Sequence, residues 1–146
     1  MSDPTMPEGS TTPDLEELIR RVNEAFNRRD FDAAHATFTP DAVWDFSSIG
    51  MGIFVGREAI RGLWEDWIGA FEDWEQVMED FRDLGNGLAL AVYLQRGRPA
   101  GSSGFVETHY GAVGITGGDG LTERITFYND IDEARAAAER LAQERR

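Results

Sequence analysis

The sequence predicts an α+β domain, with helices gathered in its first half and packed on one face of an antiparallel-rich sheet. Three observations carry this expectation. Apolar residues recur at helical spacing in two long stretches before residue 72. From Trp74 the apolar period switches to two. The strands of the second half then follow one another directly, joined at Gly85-Asn86-Gly87 and Asp119-Gly120, both strong hairpin signals. No strand–helix alternation of the doubly wound kind is visible.

The elements follow in order. Thr12 and Pro13 give an N-cap and first-turn signal. Leu15, Leu18, Ile19, Val22 and Phe26 then form the apolar face of a helix ending near Arg29. Asp30 caps a short second helix with Phe31, Ala34, His35 and Phe38 inward, and Pro40 ends it. Ala42–Phe46 reads as a strand, and residues 47–56 as a loose connection. A third helix carries Ile60, Leu63, Trp64, Trp67, Ile68 and Phe71 on one side, with Arg57, Glu58, Arg61, Glu65 and Asp66 opposite. Trp74–Leu84, Leu88–Arg96, Ser103–Thr116 and Leu121–Asn129 are the four later strands, with 97–104 a loop. Asp130 and Glu133 resemble a capping box that opens a last helix, expected outside the core. Residues 1–13 are polar and proline-rich and read as a disordered tail, which leaves 14–146 as one domain.

Composition removes whole classes of chemistry. All 14 basic residues are arginine, and neither lysine nor cysteine occurs. A lysine Schiff base, a P-loop lysine, a thiol nucleophile and a cysteine metal site are therefore excluded. The two histidines, His35 and His109, lie too far apart for a metal-binding pair on one helix, and no metal is expected. A net charge of −13 disfavours nucleic acid and anionic membranes as partners. No run approaches the ~18 apolar residues of a membrane span, and no signal peptide opens the chain. A cysteine-free chain fits a reducing cytoplasm, the expected location. Gly117–Gly120 is a turn without a following helix, and Gly101–Gly104 lacks the setting of a nucleophile elbow. Arg96 and Arg98 suit a carboxylate, with a solvated loop as the simpler reading.

The segments AFNRRDFDAAHATFTPDAVWDF (25–46), GREAIRGLWEDWIGAFEDW (56–74) and DGLTERITFYNDIDEA (119–134), in this order of elements, resemble the nuclear transport factor 2-like superfamily. Within it the chain is most similar to the SnoaL-like branch, which includes polyketide cyclases and lies near the ketosteroid isomerases. The likeness covers about residues 14–141. It implies a cone-shaped, curved, antiparallel-rich sheet wrapped around the N-terminal helices, an apolar pocket, and a homodimer through the sheet. Isomerases, cyclases, dehydratases, epoxide hydrolases and pure binding domains all share this fold, so fold alone does not choose among them.

Asp45, on the first strand, stands where ketosteroid isomerases carry their aspartate base. Between Trp44 and Phe46, desolvation is expected to raise its pKa toward a range useful for proton abstraction. The competing reading is a strand-end aspartate that caps a turn. On the long strand, Phe105, Glu107, His109, Gly111, Val113 and Ile115 share one face, and Val106, Thr108, Tyr110, Ala112 and Gly114 the other. If the first set faces inward, His109 joins Asp45 as a catalytic pair with Glu107 nearby. A bulge would exchange His109 for Tyr110. His35 reads as structural; Tyr128, which shares a strand face with Arg124, and Tyr93 read as interface packing, with donation to a developing oxyanion as the other role open to them. Phe26, Trp44, Trp64, Trp67, Phe71, Phe105 and Glu107 are the expected substrate-binding wall. The positions matching the isomerase oxyanion donors fall at about Val22 and Gly111, and neither supplies a proton. Steroid isomerisation by that route is therefore not expected.

The leading expectation is cofactor-free acid–base chemistry by Asp45 and His109: cyclisation, isomerisation or dehydration of a small hydrophobic, cyclic or polyketide-like molecule. The alternatives are a non-enzymatic module that binds a small ligand, and a dimeric scaffold whose tryptophans fill the cavity. The orientation of His109 relative to Asp45 decides between enzyme and binder.

Overall fold

The computed structural model describes residues 14–145. The stretch 1–13, with its expected tail and Thr12–Pro13 cap, and Arg146 lie outside the described residues. Helix α1 (Leu15–Asn27) is capped by Asp14, whose carboxylate accepts a hydrogen bond from Glu17 N at 3.3 Å. Asp30 does the same for α2 (Phe31–His35), accepting from Ala33 N at 3.1 Å. Strand β1 (Phe38–Asp45) begins earlier than expected. Phe38 belongs to this strand rather than to α2. Pro40 falls within the irregular stretch of pairing between Phe38 and Val43, where its missing N–H breaks no ladder bond.

A 3₁₀ turn (Ser47–Ile49) and a three-residue strand β2 (Ile53–Val55) occupy the region expected to be loose. Helix α3 (Arg57–Gly69) ends before Phe71, which opens β3 (Phe71–Gly85) instead of lying on the helix. Then come β4 (Leu88–Pro99), β5 (Val106–Thr116), β6 (Thr122–Tyr128) and α4 (Ile131–Glu144). The six strands form one curved, unclosed sheet in the order β2-β1-β6-β5-β4-β3. Among the described residues only β1 and β6 run parallel. No helix among the described residues is long and apolar enough to cross a membrane.

The β3–β4 turn uses two positive-φ residues, Asn86 at 56° and Gly87 at 80°. Gly87 is needed for space as well, because a Cβ there would lie 1.9 Å from the Thr116 carbonyl oxygen. In β3 a bulge at Glu79 lets Met78 and Phe81 both turn inward, so Trp74, Gln76, Met78 and Phe81 face the helices.

Both faces of the sheet are covered. On the inner face α1 and α3 bury Phe26, Ile60, Trp64 and Ile68 against Phe38, Trp44, Tyr93 and Phe127. On the outer face α4 buries Ala134 and Ala138 against Leu88, Leu90 and Val113. The expectation that the last helix lies outside the core is thereby corrected. Its alanines are small enough for the helix to sit directly on the strands, with Gly111 facing Ala134. A Cβ at Gly111 would come within 2.6 Å of the Ala134 Cβ, one backbone-borne atom against another. Gly111→Ala should therefore destabilise the fold by about 1–3 kcal/mol in urea unfolding. Gly118→Ala, whose Cβ would meet nothing within 4 Å, should stay within about 0.5 kcal/mol of the parent.

Candidate functional site

Pleat parity decides what enters the interior. Gly111, Val113 and Ile115 of β5 point toward α4, so Glu107 and His109, at alternate positions on the same strand, lie on that outer face as well, and Phe105 precedes the strand. The inner face carries Thr108, Tyr110 and Ala112. The pairing of β4 with β5 is unbroken from Leu88–Ile115 to Gly97–Val106, so no bulge is responsible. His109 is half-exposed and has its Nε2 3.1 Å from Glu79. Glu107 pairs with Arg96 at 3.3 Å. Phe105 is exposed, with the Arg96 guanidinium 3.8 Å above its ring. None of the three lines the cavity, and Phe71 packs against Gly97 rather than into it.

Asp45 is likewise turned away. Trp44 and Phe46 face the interior, so the residue between them faces out. Its Oδ1 accepts from Ser47 N at 2.8 Å and from Ser47 Oγ at 2.5 Å, and its Oδ2 accepts from Arg124 Nη2 at 2.7 Å. The Ser47 hydrogen bonds chiefly, helped by the Arg124 guanidinium, hold the carboxyl below its ordinary range, while burial works against them. The expected raised pKa is thus reversed. This is an aspartate that ties down a turn. The turn it holds carries Ile49 and Met51 to the cavity, and Ser48 Oγ donates to the Phe127 carbonyl to secure it further.

The cavity measures about 150 Å³. Phe26, Trp44, Trp64 and Trp67 line it as expected, and so do Phe46, Trp74, Tyr110 and Phe127. The rings interlock: Phe26 meets Trp64 edge to face at 4.9 Å, Trp44 meets Trp64 at 5.5 Å, and Phe46 stacks on Phe127 at 4.3 Å. Met51 and Trp67, 44% and 42% exposed, mark the mouth. A smaller space of about 50 Å³ lies behind, under α1, and shares Phe26, Trp44, Gln76, Tyr110 and Phe127 with the first.

At this inner end sits a polar cluster that sequence reasoning missed. Asn23 Nδ2 and Asn27 Nδ2 donate to the Gln76 carbonyl at 2.9 and 3.0 Å, and Gln76 N donates to Asn27 Oδ1 at 2.8 Å. The Gln76 side chain donates to Asn23 Oδ1 at 2.8 Å and accepts the Tyr110 hydroxyl. Burial pushes the Tyr110 pKa well above its ordinary value. Near the mouth, Trp67 Nε1 donates to Gln95 Oε1 at 3.1 Å. The indole nitrogens of Trp44, Trp64 and Trp74 are sealed within the wall, without an acceptor. Gln76 was findable: it takes the inward place between Trp74 and Met78 in a strand of period two. His35, expected to be buried and bonded to the main chain, is half-buried with its Nε2 3.1 Å from the exposed Glu58 carboxylate.

The helix-lined, curved, unclosed sheet is the fold of the nuclear transport factor 2-like and cystatin-like structures. The profile of the SnoaL-like domain matches residues 19–119, and the chain belongs to that family. Bal32a, from a soil-derived mobile gene cassette, is similar in structure with a TM-score of 0.70 at 19% identity, over 82% of this chain and 91% of that one. TerC, co-crystallised with polyporic acid, gives 0.68 at 14%, over 86% and 98%. A candidate polyketide cyclase from Xanthomonas campestris pv. campestris gives 0.65 at 23%, over 88% and 99%. No curated protein is significantly similar in sequence.

Because the Asp45 carboxyl titrates lower in the folded chain than in the unfolded one, its contribution to stability is present above the usual carboxylate range and is lost as pH falls through it. Asp45→Asn should cost about 1–3 kcal/mol at neutral pH. Urea titrations of both proteins should show a gap that is steady down to about pH 5 and closes below about pH 4.

Proposed function

We propose that this SnoaL-like domain is a binding module for a small, ring-bearing apolar molecule. One observation carries the reading: among the described residues that line the cavity, Tyr110 is the only ionisable one, and no carboxylate or imidazole accompanies it. Proton abstraction beside a carbonyl needs a base within hydrogen-bond reach of the reacting carbon. Asp45 and His109, the pair expected to supply it, lie on the opposite side of the sheet. What the cavity offers instead is aromatic surface, and an apolar space of about 150 Å³ is of the size that takes one benzene ring. Binding of a small organic molecule by a similar fold, as TerC binds polyporic acid, supports the reading.

Titration calorimetry with single-ring aromatics tests it. Leu63→Trp, which adds bulk to the cavity wall, should weaken binding by about tenfold or more, some 1.4 kcal/mol. His109→Ala should leave affinity unchanged. Loss of binding in the histidine variant, with the fold intact, would return the acid–base reading to first place.

The half of the outer face that α4 leaves open presents Val77, Leu94, Arg96 and Glu107, with Val77 44% exposed. We propose that two copies pair there, as the family resemblance implies. Sedimentation velocity should show a dimer that Val77→Glu converts to monomer, and an unchanged sedimentation coefficient in the variant would remove this face from consideration.

A further inference from the structure

The hydrogen bonds around Gln76 fix the direction of every proton at the inner end of the cavity. Amide side chains are ambiguous between oxygen and nitrogen until a partner of known character settles them. Here the main chain settles them. The Gln76 backbone N–H is only a donor, so the Asn27 atom at 2.8 Å must be its oxygen, which leaves the Asn27 nitrogen to donate to the Gln76 carbonyl. That same carbonyl is only an acceptor, so the Asn23 atom at 2.9 Å must be its nitrogen. The oxygen of Asn23 therefore faces the Gln76 side chain and must receive the Gln76 Nε2 proton, at 2.8 Å. What remains for Tyr110 is Gln76 Oε1, an acceptor, so the tyrosine hydroxyl spends its single proton there.

A hydroxyl whose proton is committed can only accept from a third partner. Tyr110 borders both the main cavity and the smaller space behind it, so this acceptor stands at the inner end. Burial keeps the phenol neutral, so neither loss nor gain of a proton changes the assignment. The nearby indole donors do not offset it, because the nitrogens of Trp44, Trp64 and Trp74 have no contact with the cavity space. At the mouth the same logic gives the opposite sign. Trp67 Nε1 can only donate, so Gln95 turns its oxygen to the indole and keeps its two amide protons for an occupant.

We infer that the cavity is polarised, an acceptor within and a donor at the mouth, and that its ligand is a neutral single-ring molecule that enters with a hydroxyl donor leading, as a phenol does. This assignment rests on the binding reading above and narrows it. It also reverses the role tyrosine plays in an oxyanion hole, since a developing enolate at Tyr110 would meet lone pairs rather than a proton.

Three probes of similar size separate the possibilities: phenol, which donates; anisole, in which the donor is methylated; and benzaldehyde, which only accepts. Calorimetry on the full chain at pH 7 should give phenol an affinity about 3–10-fold above the other two, the worth of one neutral hydrogen bond. Gln76→Met removes the acceptor that holds the Tyr110 proton, and the freed hydroxyl can then donate into the cavity. In that variant the ratio of phenol to benzaldehyde affinity should fall toward one or invert, whereas a general loosening of the site would lower both alike. Equal affinities in the parent protein, or a preference for benzaldehyde, overturn the polarity without touching the binding reading, and need no variant to fold. An unchanged ratio in Gln76→Met overturns the assignment to Tyr110. Failure of all three probes to bind overturns the binding reading itself, and this inference with it.

Discussion

The contact on which the inner half of the molecule depends is the pair of asparagines that α1 lays against Gln76. Two side-chain amides one helical turn apart meet both the N–H and the C=O of a single strand residue, and one of them also takes its side chain. Few arrangements fix a helix on a sheet in both register and height with so few atoms. Because β3 is the edge strand on this side, Gln76's main-chain groups would otherwise point away from the ladder toward bare solvent or bare hydrocarbon. The asparagines satisfy them and at the same time set how deep the space under the helix is. Phe26 then stands next to Asn27 with its ring already against Trp64, so the wall of the cavity is a consequence of the clamp.

A second constraint governs the mouth. Asp45 faces away from the cavity, against what its place in the sequence suggests. Its carboxylate organises the turn after β1 and thereby brings Ile49 and Met51 to the opening. A carboxylate flanked by aromatic residues is a poor guide to a raised pKa when those residues alternate across a strand. The neighbours in sequence are then on the other side of the sheet, and the neighbours in space are a serine and an arginine.

Most of the fold was legible because most elements carry apolar residues at the period of their own geometry; β4, buried on both faces over Leu88–Tyr93, is an exception. Leu15 to Phe26, Ile60 to Ile68 and the order of the four strands from Trp74 read correctly, as did both hairpin turns, while the connection expected over 97–104 gives up 97–99 to β4 and gains Ser103–Phe105. The site was half legible. Phe26, Trp44, Trp64 and Trp67 were found because large aromatic residues on inward faces line whatever space remains. Phe105, Glu107 and His109 were misplaced because α4 covers the outer face of β5, so that strand is apolar on both sides over its second half; Phe71 was misplaced because its helical spacing continues past Gly69, where α3 ends. Val113 and Ile115 argue for one orientation, Tyr110 and Ala112 for the other, and alternation cannot break the tie. The clamp was invisible because asparagine at helical spacing is indistinguishable from a solvated face until its partner strand is known.

The aromatic cavity has a consequence beyond recognition. All four tryptophans of the chain, Trp44, Trp64, Trp67 and Trp74, stand in the wall of this one space. No indole elsewhere contributes a background. The protein's tryptophan emission therefore originates wholly at the site, three fluorophores largely or wholly shielded from water and Trp67 at the rim partly wetted. With Trp44 and Trp64 only 5.5 Å apart, excitation passes between rings before it is emitted, and anything that quenches one of them darkens its neighbour too. Occupancy of the cavity is thus written into the intrinsic light of the molecule, and no label is required to read it.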